Sequence, residues 1–201
     1  MKVRVAVTGG IGSGKSTVMK ILAATGCTCF SCDEIYKEII LTADYVKAVA
    51  KAFPDCEENG IVLRGKLAQR VFENQKELEK LNALAHPLIM RRLEEKIEHS
   101  SASYVFVEVP LLFEGNFLNL FDKAVVVLRG RAQRIAAVEA RDGLSKAEIL
   151  SRMEKQFDYD TALKNGAFHS EKFYVLYNDF DEATLAVAVK KLLGEIKKMK
   201  H

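Results

Sequence analysis

Apolar and polar positions follow two rhythms along this chain. "VRVAVT" (Val3–Thr8), "YVFVEV" (Tyr104–Val109), "KAVVVL" (Lys123–Leu128) and "KFYVLY" (Lys172–Tyr177) are short, nearly unbroken runs of branched and aromatic residues. That is the pattern of strands covered on both faces. "CTCF" (Cys27–Phe30) reads as a further short strand. Between these runs the apolar residues fall at helical spacing. Lys15–Ala24 carries Val18, Met19, Ile21 and Leu22, and Gly26 is a stop signal. "SCDE" has the form of a capping box, with Ser31 as N-cap and Glu34 at the third helical position. It predicts a helix through Ile35, Ile39 and Ile40. From about Ala43 to Ser100 the pattern is helical and charged, with Leu78, Leu81, Leu84, Leu88 and Ile89 forming one apolar stripe. His86-Pro87 predicts a break or restart in that stripe. Ile61-Val62-Leu63 reads at most as a brief strand. Glu182–Lys198 reads as a closing helix, and the basic tail "KKMKH" as its solvated end.

Strands separated by helices imply a parallel sheet with crossovers, here of five strands flanked by helices. Residues 1–40 and 101–201 read as the core, and 41–100 as a helical insertion between its second and third strands. No internal repeat or low-complexity segment interrupts this plan.

Composition adds limits. The 201 residues are 49% hydrophobic and 28% charged, an ordinary globular balance. The net charge of +3 is too small to indicate nucleic acid by itself. No apolar run approaches the roughly 18 residues of a membrane span, and the start does not read as a signal peptide. The expectation is a cytosolic protein with no membrane and no nucleic-acid partner. Cys27-x-Cys29-x-x-Cys32 invites a metal, but no paired CxxC or histidine set accompanies it. These cysteines are read as thiols, with Cys27 and Cys29 filling a core as small hydrophobes.

Chemistry enters at "GGIGSGKS". Gly9 to Ser16 fits G-x-x-x-x-G-K-[ST] between a predicted strand and a predicted helix, the context that a phosphate-binding loop requires. Glycines allow the backbone to turn successive N–H groups inward as an anion nest, and the helix aims its positive end at the same point. In that motif Lys15 reaches the β- and γ-phosphates of a nucleotide such as ATP, and the Ser16 hydroxyl ligates Mg²⁺.

Phosphoryl transfer needs further parts: a group to orient the nucleophile, a second hold on the metal, and charge that closes over the phosphates. Asp33, after the second strand, has the position of a proton acceptor. It equally has the position of an acid favouring a helix dipole. Glu108, ending the third strand, reads either as a metal holder through water or as a strand-end surface acid. Arg129, Arg131, Arg134, Arg141 and Arg152 crowd the segment 129–156, which "RDGLS" divides into two helices like a hinged lid over about 130–158. Each arginine is a candidate phosphate clamp or an exposed helical charge. The N-K-x-D signature by which G-protein switches read a base is absent.

The set "TGGIGSGKST", "CDEI", "LRGKLAQRVF", "LNALAHPLI", "EVPLLFE" and "RDGLS…R…Q" resembles the dephospho-CoA kinase family over about residues 3–178. That resemblance implies a P-loop kinase with a helical substrate domain and a lid, acting with ATP and Mg²⁺ on dephospho-CoA. It implies Asp33 as base, with Lys15 and Arg141 as the other catalytic residues. Gly10, Ile11, Gly12, Ser13, Gly14, Lys15, Ser16, Thr17, Arg141 and Asn178 would bind nucleotide. Arg64, His86, Pro110, Leu111, Leu112, Phe113 and Glu114 would join Asp33 on the substrate side, and Ser16 and Glu108 would hold the metal. A monomer or weak homo-oligomer is expected. Other small-molecule kinases, of nucleosides or nucleotides, share the same three parts. The chain departs from the family pattern at Ser31 and Glu108, each an aspartate in many members. It departs also in "FYVLYN", which keeps only Asn178 of an "AD-x-x-I-x-N" element.

Overall fold

A computed structural model describes residues 2–179 and 181–198. The chain divides into two compact units, residues 1–30 with 102–201, and residues 31–101. The division falls at Ser31, so the helix after the second strand belongs with the inserted region rather than with the core.

The first unit is built on a sheet of order β2-β5-β1-β6-β7, from β1 (Val3–Thr8), β2 (Thr28–Ser31), β5 (Tyr104–Glu108), β6 (Lys123–Leu128) and β7 (Phe173–Tyr177). β1 lies in the middle, parallel to β5 with Val5 opposite Phe106, and parallel to β6 with Val7 opposite Val125. β6 and β7 are also parallel. The period-two alternation of the strands sorts the core. Val3, Val5 and Val7 face one side with Val18, Met19 and Leu22 of α1 (Lys15–Ala24) and Leu185, Val189 and Ile196 of α9 (Glu182–Lys198). Val126 and Leu128 face the other side with Tyr159 and Phe168. Each fully buried valine or leucine contributes about 1.5–3 kcal/mol before chain entropy is counted. The expected helix stop holds: Gly26 is left-handed at φ 82° and the Cys27 N–H closes on the Leu22 carbonyl. Residues 199–201, most of the expected basic tail, lie outside the described residues.

The second unit holds α2 (Cys32–Ile39), α3 (Ala43–Ala52), α4 (Arg64–Glu73) and α5 (Gln75–His99). It also holds a two-stranded hairpin of β3 (Glu57–Glu58) and β4 (Ile61–Val62). Asn59 and Gly60 both take positive φ there, the conformation that an Asn-Gly hairpin turn requires. That dipeptide was a legible hairpin signal, and the strand pattern alone passed over it.

Two expectations fail in this unit. α5 runs unbroken through Pro87. Ala83, whose carbonyl loses its partner at the proline, and Pro87 itself are both exposed, so water satisfies the orphaned group. The buried positions are instead Leu81, Ala85, Ile89, Leu93 and Ile97, every fourth residue. Ser31 is the N-cap of α2 but its side chain makes no capping hydrogen bond. It is the last residue of β2, with an extended φ of −127°. A full capping box forms elsewhere, at Ser145 and Glu148, where φ is −66°.

Candidate active site

The phosphate loop follows directly from β1. Thr8 is fully buried and its hydroxyl pairs with the Tyr159 hydroxyl at 2.9 Å. Burial pushes the Tyr159 phenol up to about 12. Two glycines are needed for physical reasons. Gly12 takes φ 75° and packs so closely on α6 (Arg131–Asp142) that a Cβ there would lie 2.4 Å from the Arg134 carbonyl oxygen. Gly14 caps α1 at φ 93°, where a Cβ would meet the Asn178 amide at 2.1 Å. With glycine as N-cap, no side chain occupies the N–H groups of the first turn of α1. Those donors, with the helix dipole behind them, form an anion site. Lys15 folds its ammonium back onto the loop, donating to the carbonyls of Gly9 at 2.9 Å and Gly10 at 3.2 Å.

Residues far away in sequence hold the loop in this shape. The Ile11 N–H donates to Gln156 Oε1 at 2.8 Å, and Arg134 Nε donates to the Ile11 carbonyl at 2.9 Å. Asn178 Nδ2 donates to the Ser13 carbonyl at 2.8 Å. Arg134 is buried, and desolvation pulls its pKa below the usual guanidinium range while Asp160 opposes that shift.

At the mouth of the loop, Ser16 Oγ donates to Glu108 Oε1 at 3.0 Å. Glu108 is only 9% exposed, so the surface-acid reading fails for it. A hydroxyl and a carboxylate side by side are hard oxygen donors that suit Mg²⁺, which keeps waters and substrate oxygens for its remaining positions. Among the described residues no group of three His, Cys, Asp or Glu gathers into a protein-only metal cage. Cys27 and Cys29 pack against the core, and burial and the neighbouring Cys27 push the Cys29 thiol up to about 11.

The other expected residues divide into several places. Arg141 ends α6 exposed, with Nε and Nη2 on the two carboxylate oxygens of Asp142 at 2.7 and 2.8 Å. Asp142 holds the Arg141 pKa up, and the charge of Glu108 adds to that. Leu112 is fully buried, and Phe113 stacks on Phe157 with ring centroids 4.3 Å apart. Glu114 accepts from the Phe157 N–H at 2.8 Å. Of that expected substrate stretch only Leu111 and Glu114 are exposed, and Pro110 is half-buried. Asn178 is buried under the loop as a brace. Asp33, Arg64 and His86 belong to the second unit. Asp33 is exposed in the first turn of α2, and Arg64 is exposed at the start of α4. His86 is half-buried on α5, and desolvation lowers its pKa from the ordinary 6.5.

Sequence reasoning missed Tyr159 and the bracing roles of Arg134 and Gln156. Only the arginine crowding hinted at one of them.

A family model described as dephospho-CoA kinase matches residues 3–169. A curated relative from Thermus thermophilus named dephospho-CoA kinase is 31% identical over 192 residues, covering 96% of this chain and 91% of the relative. The crystal structure of a protein from Thermus thermophilus superposes with a TM-score of 0.82 at 30% identity, covering 97% of this chain and 98% of that one. The dephospho-CoA kinase from Campylobacter jejuni superposes with a TM-score of 0.69 at 25% identity, covering 98% of each chain.

Proposed function

The chain belongs to the dephospho-CoA kinase family, and on that premise we propose that it transfers the γ-phosphate of ATP to the ribose 3′-hydroxyl of dephospho-CoA, giving CoA and ADP. The observation that carries the proposal within the molecule is the phosphate loop itself: a glycine-lined nest at a helix N-terminus, with Lys15 folded onto it and the Ser16–Glu108 pair at its mouth.

The roles follow from chemistry. The nest from Gly10 to Thr17 binds the phosphate chain, and the Lys15 ammonium neutralises charge that grows in the transition state. Ser16 and Glu108 would hold Mg²⁺, which would supply positive charge against the negative charge of the phosphates. Asp33 takes the proton from the 3′-hydroxyl, whose oxygen then bonds to the γ-phosphorus. The bond from that phosphorus to the β-phosphate bridging oxygen breaks, and ADP carries the electron pair away. Arg141 leaves Asp142 for the transferred phosphoryl group, and the segment 130–158 closes as a lid that excludes water. The region 41–100, with Arg64 and His86, holds the CoA moiety, and Pro110–Glu114 borders it. Asn178 supports the loop beneath the nucleotide. A monomeric or weakly associated protein of the cytosol completes the reading; no described helix is long and apolar enough to cross a membrane.

The test is ADP release with dephospho-CoA, AMP, thymidine, pantothenate or water as acceptor. Release dependent on dephospho-CoA supports the proposal. Faster release with AMP or thymidine makes the chain a nucleotide or nucleoside kinase. Equal release with water alone makes it a hydrolytic switch.

A further inference from the structure

Ile11 occupies a position that the phosphate-loop motif leaves open, yet both of its backbone polar groups are held by side chains from far along the chain. Its N–H is held by Gln156 at 2.8 Å and its carbonyl by Arg134 at 2.9 Å. These groups belong to two successive planar peptides, one on each side of the Ile11 Cα. Fixing both planes fixes the two dihedral angles between them. Its side chain packs into a small cluster of Ile135, Val138 and Ile149, with Leu144, Leu150 and Met153 around them. That cluster is the joint between α6 (Arg131–Asp142) and α7 (Lys146–Glu154).

The anchors lie at opposite ends of the same helical segment. Arg134 stands in the first turns of α6, and Gln156 lies just past the end of α7. The segment therefore begins and ends on one residue of the phosphate loop, and its interior packs on that residue's side chain. It cannot change position without breaking these contacts or carrying Ile11 with it. Ile11 is flanked by Gly10 and Gly12, so a shift at Ile11 is absorbed at low cost by the glycines that shape the nest.

We propose that Ile11 and Gln156 couple the α6–α7 pair to the phosphate loop, with Gln156 acting as a positioning residue for the nucleotide. The inference rests on the reading that the loop takes a nucleotide. Phosphates in the nest fix the loop, the loop fixes Ile11, and Ile11 fixes the helix pair. By reciprocity, the helix pair organises the nest for nucleotide. Arg134 supplies the second anchor and also fills the space beside Gly10, where a Cβ would lie 2.1 Å from Nη2.

The experiment uses the full chain and two substitutions of Gln156. Gln156→Leu removes the acceptor for the Ile11 N–H, and Gln156→Glu keeps one. MgADP binding is measured by calorimetry, and amide exchange over residues 131–154 is followed with and without MgADP. With Gln156→Leu, MgADP binding should weaken about tenfold and nucleotide-dependent protection of 131–154 should disappear. The KM for ATP should rise by the same factor, with kcat within about threefold. Gln156→Glu should keep nucleotide affinity within about threefold of wild type. Ile11→Ala, which trims the side chain and leaves both backbone bonds possible, should lose the protection as well, and it serves if the leucine variant does not fold. The proposal is overturned if Gln156→Leu leaves affinity and protection unchanged. It is equally overturned if the glutamate variant loses as much as the leucine variant, or if only the melting midpoint moves. MgADP binding needs no acceptor, so a chain that binds MgADP but ignores dephospho-CoA refutes the proposed reaction and not the coupling. Failure of wild type to bind MgADP refutes the nucleotide reading itself.

Discussion

Arg134 of α6 and the arginines of the second unit are used in opposite ways. In α6 and α7, Arg134 is buried and its guanidinium is committed to the backbone of the phosphate loop. In the second unit the arginines stay at the surface. Arg70 pairs with Asp55 and Glu77, Arg91 with Asp44, and Arg92 with Glu38 and Glu95. The same side chain therefore sets the shape of a site at Arg134 and covers a surface in the second unit. Burial decides which, because a desolvated guanidinium must find a fixed acceptor and an exposed one has water.

The largest break in this comparison should come from the loop that Arg134 braces. Lys15→Ala should lower kcat/KM by about a thousandfold or more while the melting midpoint stays put, because the lost ammonium acts mainly in the transition state. Normal turnover in a folded variant would end the kinase reading. Asp33→Asn tests the second unit's contribution to the same chemistry. It should lower kcat by about 10²–10⁴-fold with ATP affinity nearly unchanged. If more than about a tenth of wild-type kcat remains, Asp33 serves only the dipole of α2.

The next test sharpens the contrast between the arginines. Arg134→Met keeps the apolar stem but leaves the Ile11 carbonyl without its donor, so stability should fall by about 1–3 kcal/mol and the KM for ATP should rise. Arg92→Met, made at the surface, should leave both the melting midpoint and the kinetics unchanged within error. Equal effects from the two substitutions would show that burial is not the distinction. The smallest expected effect is a pH slope in the second unit. Burial lowers the His86 pKa from 6.5, so the unfolded chain takes up its proton at higher pH than the folded one. Stability is then complete above about 6.5, falls as pH drops below that value, and levels off at the folded pKa. His86→Gln should flatten that part of a stability–pH curve measured by urea unfolding.

What the sequence made legible was local. Val3–Thr8, the four-glycine loop and the amphipathic run after Lys15 are contiguous, so pattern and spacing specify strand, nest and helix together. The order of elements likewise implied a sheet with an inserted helical region. Groups that act across long sequence separations escaped notice. Gln156 reaches Ile11 across 145 positions and Tyr159 reaches Thr8 across 151, and no periodicity encodes either pairing. Pro87 misled because a proline's effect depends on which face of the helix it occupies, and here that face is wet. Ser31 misled because four residues match a capping box whether or not the side-chain hydrogen bond forms. Ser145 and Glu148 carry the same spacing after a loop, and there the box closes.

The position of β1 has a consequence for how the chain assembles. It is made well before its partners β5 and β6, which begin at Tyr104 and Lys123. During synthesis the central strand must wait, unpaired and rich in valine, while the whole of 31–101 is produced. That intervening stretch is continuous, and its own helices bury a core around Tyr45, Phe53 and Ile97. Closing so long a loop before any central pairing is rewarded slows the sheet relative to the helices. Folding on the ribosome should therefore run out of sequence order, with the inserted helices compact first and the amino-terminal strand docked late. The residues that bind phosphate come directly after that strand. On this order the nest acquires its shape after the inserted helices, although it is translated before them.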